Sequence, residues 1–210
     1  MRLIKPSYEI LECPTDALER IERAARTCYK SEDRIGSGTA EKLVGFLMDR
    51  HHSAMLEFGG WIAVKFVSNR GFTHEMVRHR LASFAQESTR YCNYSKGKFD
   101  AEITCVEPLA DLDALTKRSL YEAWSEAEKQ YMEMLARGTK PEVAREALPI
   151  GLKAEIVVGA NTREWMHIFE QRCSPAAHPR MRELMIPLRA ELQGRIQLLF
   201  DEVLHDGRRG

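Results

Sequence analysis

Residues 71–94 constrain this chain more than any other stretch. They hold Arg78, His79, Arg80 and Arg90, with Arg70 immediately before them. The chain carries 31 Lys and Arg against 31 Asp and Glu, so this cationic density is local. Phe72, Met76 and Ala82 fall at helical spacing with Val77 and Leu81 adjacent, which predicts a helix over the first half. Neighbours on a helix point about 100° apart, so Arg78, His79 and Arg80 would fan in three directions. One ligand meets all three only by wrapping the helix or by lying at a junction between subunits. Gln86, Glu87, Ser88, Thr89 and Arg90 read as a loop. Hydroxyls beside a guanidinium suit a phosphate, because the hydroxyls donate and arginine offers a planar fork. The bland alternative is a solvated basic helix and a polar loop. The apolar neighbours weaken it, because they would bury part of the stretch.

The totals set limits. A chain of 210 residues is read as one domain, 1–210, long enough to bury a substantial core. It is 44% hydrophobic and 30% charged, a globular composition. Balanced charge argues against a dedicated nucleic-acid binder. No apolar run approaches the roughly 18 residues that span a bilayer, and the N-terminus lacks the apolar core of a signal peptide. Cys13, Cys28, Cys92, Cys105 and Cys173 form no Cys-x-x-Cys pair, which suits free thiols in a reducing cytoplasm.

Along the chain, residues 7–12 are expected to form a strand. Asp16 is read as the cap of a helix running through Arg26, with Leu18, Ile21 and Ala25 on one face. Gly36 to Gly38 make a loop, and Thr39 to Arg50 a second helix with Leu43, Phe46 and Leu47 inward. His51 and His52 are adjacent, so they point apart and do not share an ion. Trp61 to Val67 alternate as a strand. His74 and His79 are five apart, unlike the i, i+4 pair of a zinc helix, and no metal is expected. Residues 102–106 are a short strand. A long helix is expected over Asp111 to Arg137, apolar at Leu112, Leu115, Ala123, Ala127, Tyr131 and Met134 and ended by Gly138. Pro141 sits in the first turn of a helix over Thr139 to Leu148. Ala154 to Val158 form a strand, Thr162 is read as the cap of the next helix, and a last helix runs from Pro179 to His205, kinked at Pro187. The tail after it is expected to fray.

The spacing Arg78-His79-Arg80, seven residues, then Ser88, followed by Thr89, Arg90 and Tyr91, resembles the signature of the flavin-dependent thymidylate synthases. Further blocks are similar: Ala24 to Arg26; His52 with Glu57; Arg145 in its proline-bounded helix; and Asn161, Arg163 and Arg172. Cys28, Phe58 and Ala176 depart from the pattern. The resemblance implies an α/β (α+β) fold, a sheet packed with long helices, assembled as a homotetramer with sites at subunit interfaces. It implies reductive methylation of dUMP to dTMP, with methylenetetrahydrofolate as one-carbon donor and NADPH reducing FAD. It assigns dUMP to Glu75, Arg78, Gln86, Glu87, Ser88, Thr89, Arg90, Arg145 and Arg172. It assigns FAD to His52, Ala54, Arg78, His79, Arg80, Gln86, Asn161, Arg163 and His167. It implies Arg172 as the catalytic residue.

There is no glycine-rich Rossmann fingerprint, so the flavin must be held another way. Several arginines are what the anionic dUMP phosphate, FAD pyrophosphate and folate glutamate require. Two other readings remain open at this point. One is a nucleotide- or RNA-binding protein without flavin. The other is a flavoprotein of the same fold without turnover.

Overall fold

The structure, a computed structural model, describes residues 1–200. It mixes helices and strands, and the chain divides into two compact units. The first comprises Met1–Tyr8, Lys65–Arg78 and Phe84–Val157. The second comprises Glu9–Val64, His79–Ser83 and the chain from Val158. Six strands occur among the described residues: β1 (Arg2–Ile4), β2 (Ser7–Glu12), β3 (Trp61–Asn69), β4 (Ser83–Gln86), β5 (Thr104–Val106) and β6 (Lys153–Asn161). β1 pairs in parallel with β5, Leu3 opposite Cys105. The other sheet has the order β2-β3-β6-β4. β3 follows its alternation: Ile62, Val64 and Phe66 are fully buried, while Trp61 is exposed. No described helix is long and apolar enough to cross a membrane.

In the first unit, α3 (Arg70–Met76) is capped by Asn69, whose carboxamide oxygen accepts from the Phe72 amide at 2.9 Å. The helix predicted to continue to Ala82 stops at Met76. Val77 and Leu81 are 41% and 76% exposed, so beyond Met76 there is no apolar face to bury, and burial is what sustains a short helix. Arg78, His79 and Arg80 therefore lie in the non-helical segment after α3, not fanned on a helix. Gln86 ends β4 and does not begin a loop.

α4 (Ala114–Ala136) starts later than predicted because Asp113 is its cap, accepting from the Leu115 and Thr116 amides at 2.9 Å each. Its buried stripe is Trp124 and Tyr131. They pack with Tyr94, Ile103, Cys105, Ala144 and Leu152. Leu115 and Ala123 face solvent instead, because the stripe runs through Trp124, which the predicted apolar set left out. Gly138 (φ +88) ends the helix with Thr139 N–H donating to Met134 C=O, a closure that needs a left-handed residue. Pro141 opens α5 (Pro141–Ala144), which tightens into a 3-10 turn at Arg145–Ala147 rather than continuing as an α-helix to Leu148.

The second unit holds α1 (Ala17–Tyr29), α2 (Thr39–Asp49), α6 (Thr162–Arg172), α7 (Pro179–Arg195) and α8 (Gln197–Phe200). Asp16 precedes α1 but does not cap it through its side chain. Its carboxylate takes the Arg20 guanidinium at 2.6 Å, a charged donor outcompeting a backbone amide. In α2, Ala40, Val44 and Leu47 are buried and Phe46 is 50% exposed, correcting the expected inward face. Thr162 does not cap α6. Asn161 does, accepting from the Glu164 amide at 2.8 Å, while the Thr162 hydroxyl donates to Leu56 C=O. The 3-10 turn Ser53–Gly59 lies so close to α6 that a Cβ on Gly59 would be 2.5 Å from the Thr162 hydroxyl oxygen. Pro187 lies inside α7, and the break comes at Ile196. The predicted helix end at His205 and the frayed tail lie outside the described residues.

Candidate functional site

The predicted residues fall into two groups, one in each unit. In the first unit, Ser88 organises the loop after β4. Its hydroxyl accepts from the Arg90 amide at 3.3 Å, and its carbonyl from the Tyr91 and Cys92 amides at 3.2 and 2.9 Å. Arg145, from a distant segment, reaches the Thr89 hydroxyl at 3.5 Å. Arg90 lies 3.6 Å from the Glu142 carboxylate. Two guanidinium groups and two hydroxyls thus gather on one loop, as anion binding requires. Glu142 was missed by sequence reasoning. Its signal was its place in the same proline-bounded helix as Arg145.

Glu87 has internal partners. Lys153 donates to it at 2.9 Å, Tyr94 at 3.3 Å and the Glu155 amide at 3.3 Å. It fixes the root of the loop on the sheet. Lys153 and Lys65 in turn hold the Glu155 carboxyl down to about 2. Gln86 donates to the Thr73 hydroxyl at 2.9 Å, and so ties β4 to α3, where Glu75 is half-buried. Arg78 is exposed.

The second unit builds its group on α6. Asn161 stands at the helix start, and Arg163 ion-pairs with Glu57 at 2.6 Å, joining two blocks that sequence reading treated separately. Arg172 ends α6, where the helix dipole favours a cation. Its Nε donates to Nε2 of His79 at 2.9 Å. His79 is buried, with its Nδ1 3.6 Å from the Glu164 carboxylate, also buried, and its ring edge-on to His167 at 5.7 Å. His52, Ala54 and Arg80 are exposed. Glu164 is the second residue that sequence reasoning missed. It lies one turn before His167 on the same helix, a spacing that was available to notice.

His79, Glu164 and His167 also offer three ligand atoms within 4.8 Å of one another. The hydrogen bonding opposes an ion there. A neutral imidazole that accepts at Nε2 carries its proton on Nδ1, the atom that would have to ligate, and a guanidinium stands beside it. Burial, then the Arg172 charge, then His167, lower the His79 pKa to about 4. Burial raises that of Glu164, with the His167 and Arg163 charges opposing.

The unfolded chain protonates His79 near 6.5, the folded chain only near 4. Between those values the unfolded state binds more protons, so this group's contribution to stability falls as pH drops from about 6.5 to 4. Glu164, His167 and Arg172 face it. His79→Gln is expected to flatten the fall in urea midpoint between pH 7 and 4.5. An equally steep fall in the variant would contradict the assignment.

Known proteins place this architecture. The methylase PolB from Streptomyces cacaoi, solved with 5-Br dUMP, aligns at a TM-score of 0.80 and 20% identity, covering 96% of both chains. Thymidylate Synthase X (ThyX) from Helicobacter pylori, solved with FAD and dUMP, aligns at 0.77 and 21%, covering 95% of this chain and 99% of that one. The fold is the one those enzymes share. In sequence, the flavin-dependent thymidylate synthase of Pyrococcus furiosus is 32% identical over 189 residues, 85% of this chain and 75% of that protein. That of Corynebacterium aurimucosum is 28% identical over 211 residues, 93% and 83%. The family model described as thymidylate synthase complementing protein matches residues 9–196. The chain belongs to that family.

Proposed function

We propose that this chain is a flavin-dependent thymidylate synthase acting as one functional domain, 1–210. It methylates dUMP to dTMP, taking the one-carbon unit from methylenetetrahydrofolate and reducing equivalents from NADPH through FAD. The observation that carries the reading is the hydrogen bond between Arg172 and His79. It joins two motif blocks 93 residues apart in the chain.

The donor set fits FAD. Arg163 is half exposed and ion-pairs with the equally exposed Glu57 carboxylate, so an anionic ligand can take that partner's place. His79, Arg163, Asn161 and His167 would hold the cofactor, with His52, Ala54, Arg78, Arg80 and Gln86 as further contacts. FAD, when bound, supplies the hydride. Ser88, Thr89, Arg90 and Arg145 bind the dUMP phosphate, and Arg90 exchanges Glu142 for it. Glu75, Arg78, Gln86 and Glu87 complete the nucleotide contacts. Arg172 stabilises the pyrimidine as charge builds on it.

The test is the visible spectrum of the purified protein, then turnover with dUMP, methylenetetrahydrofolate and NADPH. A yellow protein without dTMP formation sinks the synthase reading and leaves a flavoprotein. A colourless protein with salt-dependent nucleic-acid affinity leaves the nucleic-acid reading. Arg163→Ala is expected to purify without flavin colour and with parental circular dichroism. A fully yellow variant would remove Arg163 from the site. The protein is cytoplasmic and a homotetramer with sites at subunit interfaces, and binds no nucleic acid. Sedimentation of an active monomer would overturn the assembly.

A further inference from the structure

Arg172 depends on His79 keeping a lone pair on Nε2, because only an unprotonated ring nitrogen accepts from a guanidinium. An imidazole has two neutral tautomers, and something must select between them. The group facing the other nitrogen is Glu164, its carboxylate oxygen 3.6 Å from Nδ1. That is too long for a formed hydrogen bond, so the effect is one of charge. Both side chains are 5% exposed, and a negative charge in such surroundings acts strongly on a nearby proton. Glu164 is held in place from its own backbone, since its amide donates to Asn161 at the start of α6. His167 meets the His79 ring edge-on and makes no comparable demand on Nδ1.

We infer that Glu164 is a positioning residue for the reaction: its carboxylate keeps the His79 proton on Nδ1, so that Nε2 holds the Arg172 guanidinium in its working orientation. This rests on the proposed function for its catalytic consequence, but not for the tautomer. Burial holds His79 neutral at working pH, which leaves tautomer choice, not charge, as the variable Glu164 controls.

The experiment uses the whole chain and the variants Glu164→Gln, Glu164→Asp, Arg172→Lys and Glu164→Gln/Arg172→Lys. Glu164→Gln is expected to stay yellow, keep the parental KM for dUMP and lose kcat about 10- to 100-fold, the scale of a small misplacement. Glu164→Asp, which keeps the charge, recovers part of the loss. The double variant is no slower than Arg172→Lys alone, because both changes remove the same effect. Long-range ¹⁵N–¹H spectra of histidine-labelled protein should show the His79 proton on Nδ1 in the parent and a tautomer mixture in Glu164→Gln. Parental kcat in Glu164→Gln, or losses that multiply in the double variant, overturn the inference. So does a parent proton on Nε2. If Glu164→Gln does not fold, Glu164→Asp must still show the parental tautomer. If the parent makes no dTMP, the functional reading fails on its own and the spectra still decide the tautomer.

Discussion

Arg172→Lys is expected to keep fold and flavin colour while losing turnover by about 10²- to 10³-fold, the scale of removing one preorganised charge donor. The uracil ring must become electron-rich at C5 before it accepts a one-carbon unit, and its N3–H is a weak acid. A guanidinium beside N3 and its flanking carbonyl stabilises the anion, since a close opposite charge lowers a pKa by about 1 to 3 units. Arginine stays protonated at any working pH. The structure adds a second demand. Nε is already given to His79 at 2.9 Å, so on the proposed role the pyrimidine would be met from the Nη edge. A lysine ammonium supplies charge but cannot hold the imidazole and present a planar pair at once. Single-turnover oxidation of the reduced enzyme, with dUMP and methylenetetrahydrofolate at several pH values, measures this. If Arg172→Lys matches the parent at every pH, Arg172 does not activate the pyrimidine.

Trp165→Ala is expected to cost about 3 to 5 kcal/mol of stability, the range for emptying a buried aromatic site. Trp165 is fully buried, lies tilted against Phe169 with ring centroids 5.5 Å apart, and donates from its indole nitrogen to Ile62 C=O at 3.0 Å. The substitution leaves a cavity and removes the indole hydrogen bond to the Ile62 carbonyl. It also frees α6, which carries Arg163, Glu164, His167 and Arg172, so flavin colour should be lost below the unfolding midpoint of the parent. Urea unfolding followed by far-UV circular dichroism reads the cost as a lowered midpoint at unchanged slope. A loss under about 1 kcal/mol would mean that neighbours fill the space and that Trp165 does not anchor the helix.

Elements with one dominant signal were legible in the sequence. β3 was, because its alternation matches burial residue for residue, and so was the end of α4, because only a glycine suits φ +88. Failures came where two local partners competed. Asp16 could bond an amide or Arg20, and the charged donor won. Asn161 and Thr162 could each cap α6, and the threonine went to Leu56 instead. The signature helix kept its periodicity past Met76 but had nothing to pack against, which no local pattern reveals. In the candidate site, family spacing is what pointed to the arginines. Glu142 and Glu164 were passed over, although Glu142 shares the proline-bounded segment of Arg145 and Glu164 lies one turn before His167. The fanned helix that would call for sites shared between subunits does not form, because α3 ends at Met76.

The bond from Arg172 to His79 also bears on how the protein acquires its chemistry. A contact closed between residues 93 apart in the chain cannot form while either segment folds locally. A peptide spanning α6, however helical, has the arginine without the imidazole that orients it. Competence is therefore a property of the finished chain, reached only after both ends of this long loop are in place.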